Sequence, residues 1–249
     1  MKKLKKVYTK TFVEAHRGAS GYCYMNTMEA FDEAVRLKSD AIELDIRRTQ
    51  DDKIIVVHDP LFNGKHINNW EYDELCKATL ASEKEFIMPL LQDVLIKYKG
   101  KIILDIEVKE VGYEKEIIDL ILKYLTLDEF YIRTFHEEAC RNIKEYNKDV
   151  YCILLIGFEK VKLGFLGRLP ELFPRAKIKR SKCDAVSPNY QLLRFGYVKR
   201  MHMRGQAVYA WTCNDEKVIY RMLKIKVDGI VGNYPDKIFK CMEDFKNKK

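Results

Sequence analysis

The chain has 249 residues, 47% hydrophobic and 33% charged, a length and balance that suit one large core and exclude a disordered or low-complexity protein. Its net charge of +8 suits anionic partners such as phosphate esters or lipid headgroups, while the absence of a basic-aromatic platform argues against nucleic acid. No apolar run approaches bilayer-spanning length, the lysine-rich start from Met1 to Lys6 leads into no apolar signal region, and seven scattered cysteines without a C-x-x-C pair point to a reduced, cytoplasmic setting.

In chain order, β-branched apolar runs alternate with amphipathic ones. Strands are expected at 12–15, 41–46, 54–57, 101–108, 130–132, 150–156, 185–187, 206–210 and 229–231. Helical periodicity marks 27–37, 113–125, 137–146, 190–203 and 216–223, with Asn26 or Thr27 placed to cap the first. Strands alternating with helices imply parallel βαβ units, and a strand count near eight favours closure into a (β/α)8 barrel, one α/β domain over residues 1–249. There is no internal repeat and no linker.

Period-two alternation sets the faces. Ile42, Leu44 and Ile46 share one face of their strand and Glu43 and Asp45 the other; Leu104, Ile106 and Val108 oppose Asp105, Glu107 and Lys109. The aliphatic sets suit the helical layer, so the charged sets point into the barrel, where Glu43, Asp45 and Glu107 can meet at its mouth. Two carboxylates ~4 Å apart repel by roughly 4 kcal/mol at an effective dielectric near 20. Three together call for a cation, and all-oxygen ligation favours Mg²⁺ or Ca²⁺. The competing reading pairs these acids with Lys109 or Arg17.

His16 and His58 each follow a strand and belong on the same rim, as an acid and a base for phosphoryl transfer. Arg17 offers a planar fork for phosphate oxygens and Lys109 a point charge. His66, His136 and His202 have no comparable setting and read as surface residues. Trp211 ends a strand where its ring closes the apolar side of a pocket or merely packs; Phe135 and Tyr190 have weaker claims. The segment 159–182 interleaves eight cations with Leu163, Phe165, Leu166, Leu172 and Phe173. It suits either an anionic membrane surface or a solvated helix over the barrel.

The series His16-Arg17-Gly18, Asn26-Thr27, Glu43-x-Asp45, Val57-His58-Asp59, Glu107-x-Lys109, Trp211-Thr212-x-Asn214, Val227-Asp228-Gly229-Ile230 and Tyr234-Pro235-Asp236 resembles the glycerophosphodiester phosphodiesterase family. The motifs stand in family order and span about 12–236. The resemblance implies a TIM barrel, a divalent cation at Glu43, Asp45 and Glu107, and an acid/base pair at His16 and His58. It also implies cleavage of a glycerophosphodiester to sn-glycerol 3-phosphate and an alcohol, by attack of the neighbouring glycerol hydroxyl through a cyclic phosphate. This sequence departs from the family pattern in places. Tyr24-Met25 stands where Pro-Glu is usual, Asp52 where a turn glycine is usual, and Gly232-Asn233 where Thr-Asp is common. Pro60-Leu61-Phe62-Asn63-Gly64 replaces an arginine-rich continuation, so the substrate-capping insertion after the second strand is expected to be short or reshaped. A lysophospholipase D-type lipid hydrolase and a non-catalytic phosphoester binder are the competing functions; intact histidines argue against the second.

Overall fold

Strand 41–48 shows how the sequence builds this fold. Its even-numbered aliphatic residues Ile42, Leu44 and Ile46 are fully buried against the helical layer, and its odd-numbered Glu43 and Asp45 point inward. The structure is a computed structural model that describes residues 10–81, 86–157 and 168–247. Its eight barrel strands are parallel: β1 (Phe12–His16), β2 (Ala41–Arg48), then, after the insertion strands β3 to β5, β6 (Ile103–Val108), β7 (Phe130–Thr134), β8 (Cys152–Ile156), β9 (Ala185–Pro188), β10 (Ala207–Ala210) and β11 (Gly229–Gly232). β1 pairs with both β2 and β11, so the eight parallel strands close into a barrel. The expected TIM barrel is present.

Inward-facing side chains, odd-numbered on every barrel strand except β1, where Glu14 and His16 point in, fill the barrel in layers. Ala41, Tyr131, Ile153, Ala185, Ala207 and Tyr209 form an apolar plug at the bottom. Above it lies a polar layer in which buried Arg133 meets Glu14 at 2.5 Å and Asp105 at 2.6 Å and donates to Ser187 Oγ at 2.7 Å. Aliphatics on the opposite strand faces, such as Val13, Ile42, Leu104 and Ile132, form the outer core with the helices, each fully buried one contributing roughly 1.5–3 kcal/mol.

All nine expected strands are found, and four of the five expected helices match: α1 (Met28–Arg36), α4 (Glu114–Tyr124), α5 (Glu137–Tyr146) and α9 (Glu216–Lys224). Thr27 is the cap of α1, accepting from Ala30 N at 3.3 Å. The expected helix 190–203 is corrected. Phe195 and Gly196 both take positive φ, which stops any helix, leaving a 3-10 turn at Tyr190–Leu192 and a short α8 (Tyr197–His202). Helices α2 (Tyr72–Leu80), α3 (Leu91–Tyr98), α6 (Leu169–Leu172), α7 (Arg175–Ser181) and α10 (Pro235–Asn247) complete the set among the described residues.

The insertion follows β2. β3 (Ile54–Val56) runs antiparallel to the end of β2 across a turn in which Asp52 accepts a φ of 57° in place of glycine. Next comes a hairpin of β4 (Leu61–Phe62) and β5 (Lys65–His66), whose Asn63-Gly64 turn has positive φ at both residues, the pattern a two-residue hairpin demands. Ile55, Ile67, Leu75 and Met88 give this region a small core of its own.

In segment 159–182, residues 159–167, with Lys160, Lys162, Leu163, Phe165 and Leu166, lie outside the described residues. In the described part, Arg180 and Lys177 reach Glu137 at 2.7 and 4.0 Å, and Lys182 reaches Glu145 at 2.8 Å. Among the described residues no helix is long and apolar enough to cross a membrane.

Candidate active site

Parallel register carries the motifs to one rim. His16 lies beside Glu43 on adjacent strands, and Asp45 beside Glu107. Carboxylate oxygens of Glu43, Asp45 and Glu107 lie within 4.8 Å of one another, all three side chains buried. Lys109 Nζ sits between two of them, 2.5 Å from Glu107 and 2.8 Å from Asp45. Both sequence readings of this cluster, a cation site and an ion-paired set, therefore meet in one place.

The charge distribution is uneven. Burial, then the neighbouring Asp45 and Glu107, pushes Glu43 up to about 8; burial and Asp45 push Glu107 up to about 7. Burial also works to raise Asp45, but Lys109, Arg17 and His58 outweigh it and hold that carboxyl well below the usual range. A buried trio of hard oxygens that cannot all ionise alone fits a divalent cation.

Two asparagines hold the rim in place. Asn26, at φ 59°, donates from Nδ2 to Asp45 Oδ2 at 2.9 Å and accepts from Asp45 N. Asn233 Oδ1 accepts from His16 Nδ1 at 2.8 Å, which puts the proton on Nδ1 and leaves Nε2 as the basic nitrogen. Burial and the Arg17 charge lower the His16 pKa to about 4, so this ring is neutral at physiological pH. His58 is held differently: its Nδ1 donates to the Asp59 carboxylate at 2.7 Å. Burial, first among several influences, lowers its pKa.

The His16-Arg17-Gly18 turn is fixed by backbone geometry. Arg17 takes φ 55°, its backbone N–H donates to Glu43 Oε2 at 2.8 Å, and its guanidinium Nε lies 3.2 Å from Asp45. Gly18 has φ 77°, and any Cβ there would lie 2.6 Å from the Ala30 carbonyl carbon. Only glycine lets the turn dock on α1.

His16, Arg17, Glu43, His58, Glu107, Lys109 and Trp211 all line one pocket. Trp211 donates from Nε1 to the Ser187 carbonyl at 2.7 Å and stands edge-on to Phe135, with centroids 5.6 Å apart. Phe135 lines the pocket and Tyr190 does not. His66, His136 and His202 are exposed, as expected, although His202 pairs with Asp228 at 2.7 Å. Arg133 also lines the pocket and was missed. Its signal was a lone charge at an inward-facing position of the apolar run Phe130–Thr134.

Residues 16–237 match the model of the glycerophosphoryl diester phosphodiesterase family. The chain belongs to that family. Among its relatives, YhdW of Bacillus subtilis is 31% identical over 92% of this chain and 97% of its own length. A glycerophosphodiester phosphodiesterase of Bacillus altitudinis is 27% identical over 95% of this chain and its whole length. The fold of an Oleispira antarctica phosphodiesterase, solved with sn-glycerol-3-phosphate, superposes with a TM-score of 0.78 at 18% identity, covering 95% of this chain and 99% of that one. Against the common family pattern, the Tyr24-Met25 departure now has a structural consequence. Met25 Sδ, where a glutamate is usual, lies 3.1 Å from an Arg17 guanidinium nitrogen, so no second carboxylate draws on Arg17 there. The Asn233 departure places a neutral acceptor, where an aspartate is common, behind His16.

Proposed function

We propose that the protein hydrolyses glycerophosphodiesters to sn-glycerol 3-phosphate and an alcohol, with His16 as base and His58 as acid. The observation that carries this reading is one pocket holding both histidines, each anchored through Nδ1 by a partner of different charge. A neutral partner and a lowered pKa suit His16 to take a proton. Burial lowers the His58 pKa in the free chain, and the Asp59 carboxylate and an incoming anionic phosphate act against that shift, toward the protonated form an acid needs. His16 Nε2 takes the proton of the neighbouring glycerol hydroxyl as its oxygen bonds to phosphorus. The bond from phosphorus to the leaving alcohol breaks, and His58 protonates that oxygen. Water then opens the cyclic phosphate with the two roles exchanged.

Arg17 and Lys109 orient the phosphate and balance its charge, while Trp211 and Phe135 pack against the glycerol carbons. Glu43, Asp45 and Glu107 would hold Mg²⁺ or Ca²⁺, which when bound supplies charge neutralisation at the phosphoryl oxygens. The Oleispira complex with sn-glycerol-3-phosphate supports the product. A lysophospholipase D-type reaction, the activity for which a mouse relative 26% identical over 93% of this chain is named, needs room for an acyl chain on the glycerol side. There Phe135, Leu155, Trp211 and Val231 line the pocket.

The acid/base assignment is tested by Asn233→Asp. An anion behind His16 raises its pKa, so the acid limb of kcat/KM is expected to move upward from near pH 4 toward the ordinary histidine value. An unmoved limb in a folded, active variant would exclude His16 as the base.

We also propose that contact with an anionic membrane through 159–182 is weak. Three cations of the described part already share Glu137 and Glu145, and each cation left near a surface contributes ~1 kcal/mol. Sedimentation with phosphatidylserine vesicles should show slight, salt-sensitive association. None at low ionic strength would leave the described part of the segment a solvated surface with no membrane role.

A further inference from the structure

His58 stands at a junction. On one side is the catalytic pocket; on the other is an open trough lined by Tyr24, Met25, Leu61, Phe62, Phe86 and Met88. An aromatic ladder forms its wall: Tyr24 packs on Phe86 with centroids 4.6 Å apart, and Phe86 meets Phe62 at 6.3 Å. Phe62 is backed in turn by Trp70. Leu61 and Tyr24 are 45% and 37% exposed, so apolar surface stays in contact with water beside the catalytic residues. Isolated exposed apolar side chains are ordinary, but a contiguous lined trough that shares His58 with a reaction pocket is a binding feature.

Its position fixes which part of a substrate it meets. With His16 taking the glycerol hydroxyl proton, the glycerol lies on the His16 side, and the leaving oxygen lies at His58. Whatever is attached to that oxygen continues past His58 into the trough. Two departures from the family pattern build it. Tyr24 and Met25 supply one wall, and the Pro60-to-Gly64 hairpin supplies Leu61 and Phe62 in place of arginine-rich sequence.

Resting on the phosphodiesterase reading above, we propose that this trough binds an alkyl chain on the leaving alcohol, making the enzyme selective for glycerophosphodiesters of apolar alcohols. The test is a series of sn-glycerol 3-phosphate esters of ethanol, butanol and octanol, kept below micelle-forming concentrations. Each methylene fully withdrawn from water gains up to about fourfold, so kcat/KM is expected to rise at least about tenfold from ethyl to octyl. Leu61→Asp should cut the octyl-to-ethyl ratio about fivefold or more, and Leu61→Met should preserve it; using the ratio separates chain binding from any general loss of activity. Hydrolysis of all three esters with a flat chain-length profile, or a ratio unmoved by Leu61→Asp, overturns the trough and leaves the phosphodiesterase reading standing. An ethyl ester whose glycerol carries the octyl chain should gain nothing; an equal gain overturns the leaving-group assignment. No alcohol release from any ester overturns the phosphodiesterase reading and the trough with it.

Discussion

His16→Ala and His58→Ala are each expected to lower kcat by ~100-fold or more, the scale of a positioned acid or base. Neither change should unfold the barrel. His58 is partly exposed, so water fills the gap its ring leaves. His16 removal strands only Asn233 Oδ1, because Asn233 is also held through its backbone N–H by Asn214 Oδ1 at 2.8 Å. Thermal unfolding measured beside single-turnover rates separates the two effects. A variant at either position that folds and turns over like the parent would end the assignment of that histidine.

Chelation is expected to abolish activity, and Mg²⁺ or Ca²⁺ to restore it. The same carboxylates make a second, activity-free readout. Asp45 is held low by its cationic neighbours against burial, but Glu43 at about 8 and Glu107 at about 7 have folded-state pKa values above the unfolded ones, raised by burial first and then by the neighbouring acids. Between the ordinary glutamate value and these, the folded chain binds more protons than the unfolded one. The stability they contribute is therefore present at low pH and lost as pH rises through 7 and 8. His16 runs the other way: its folded pKa of about 4 means stability is gained as pH rises from 4 toward 6.5, and that gain is complete above there. Across pH 6.5–8.5 Glu43 and Glu107 both act to lower stability as pH rises, so the metal-free Tm falls and the stabilisation by added cation grows. Glu43→Gln should flatten the fall and weaken cation binding. Full turnover in excess EDTA after exhaustive dialysis, or a cation-independent Tm at pH 8, would rule the site out.

Much of this was legible in the residues. Alternation along Ala41–Arg48 and Ile103–Val108 placed Glu43, Asp45 and Glu107 on inward faces, because strand side chains have a period of two and only one face can meet the helices. Strand ends placed His16 and His58 on a common rim. Asn26 and Asn233 were visible as letters in motifs, yet their roles were not. A hydrogen bond between residues 16 and 233 depends on β1 closing against β11, which no local pattern encodes. The broken helix at 190–203 failed for the opposite reason: its periodicity was right, and two positive-φ residues overrode it.

The sequence by itself determined the strands, the direction each strand faces, the parallel barrel and the residue types at its mouth, since these follow from local periodicity and the need to bury one face. Tertiary structure alone decided the rest. It brought three acids within 4.8 Å, so that burial and mutual repulsion lift two of them toward neutrality. It set a neutral amide behind one histidine and a carboxylate behind the other, and laid an aromatic trough against His58. Proton affinity depends on distance, burial and partner, and those quantities exist only once the chain has closed on itself.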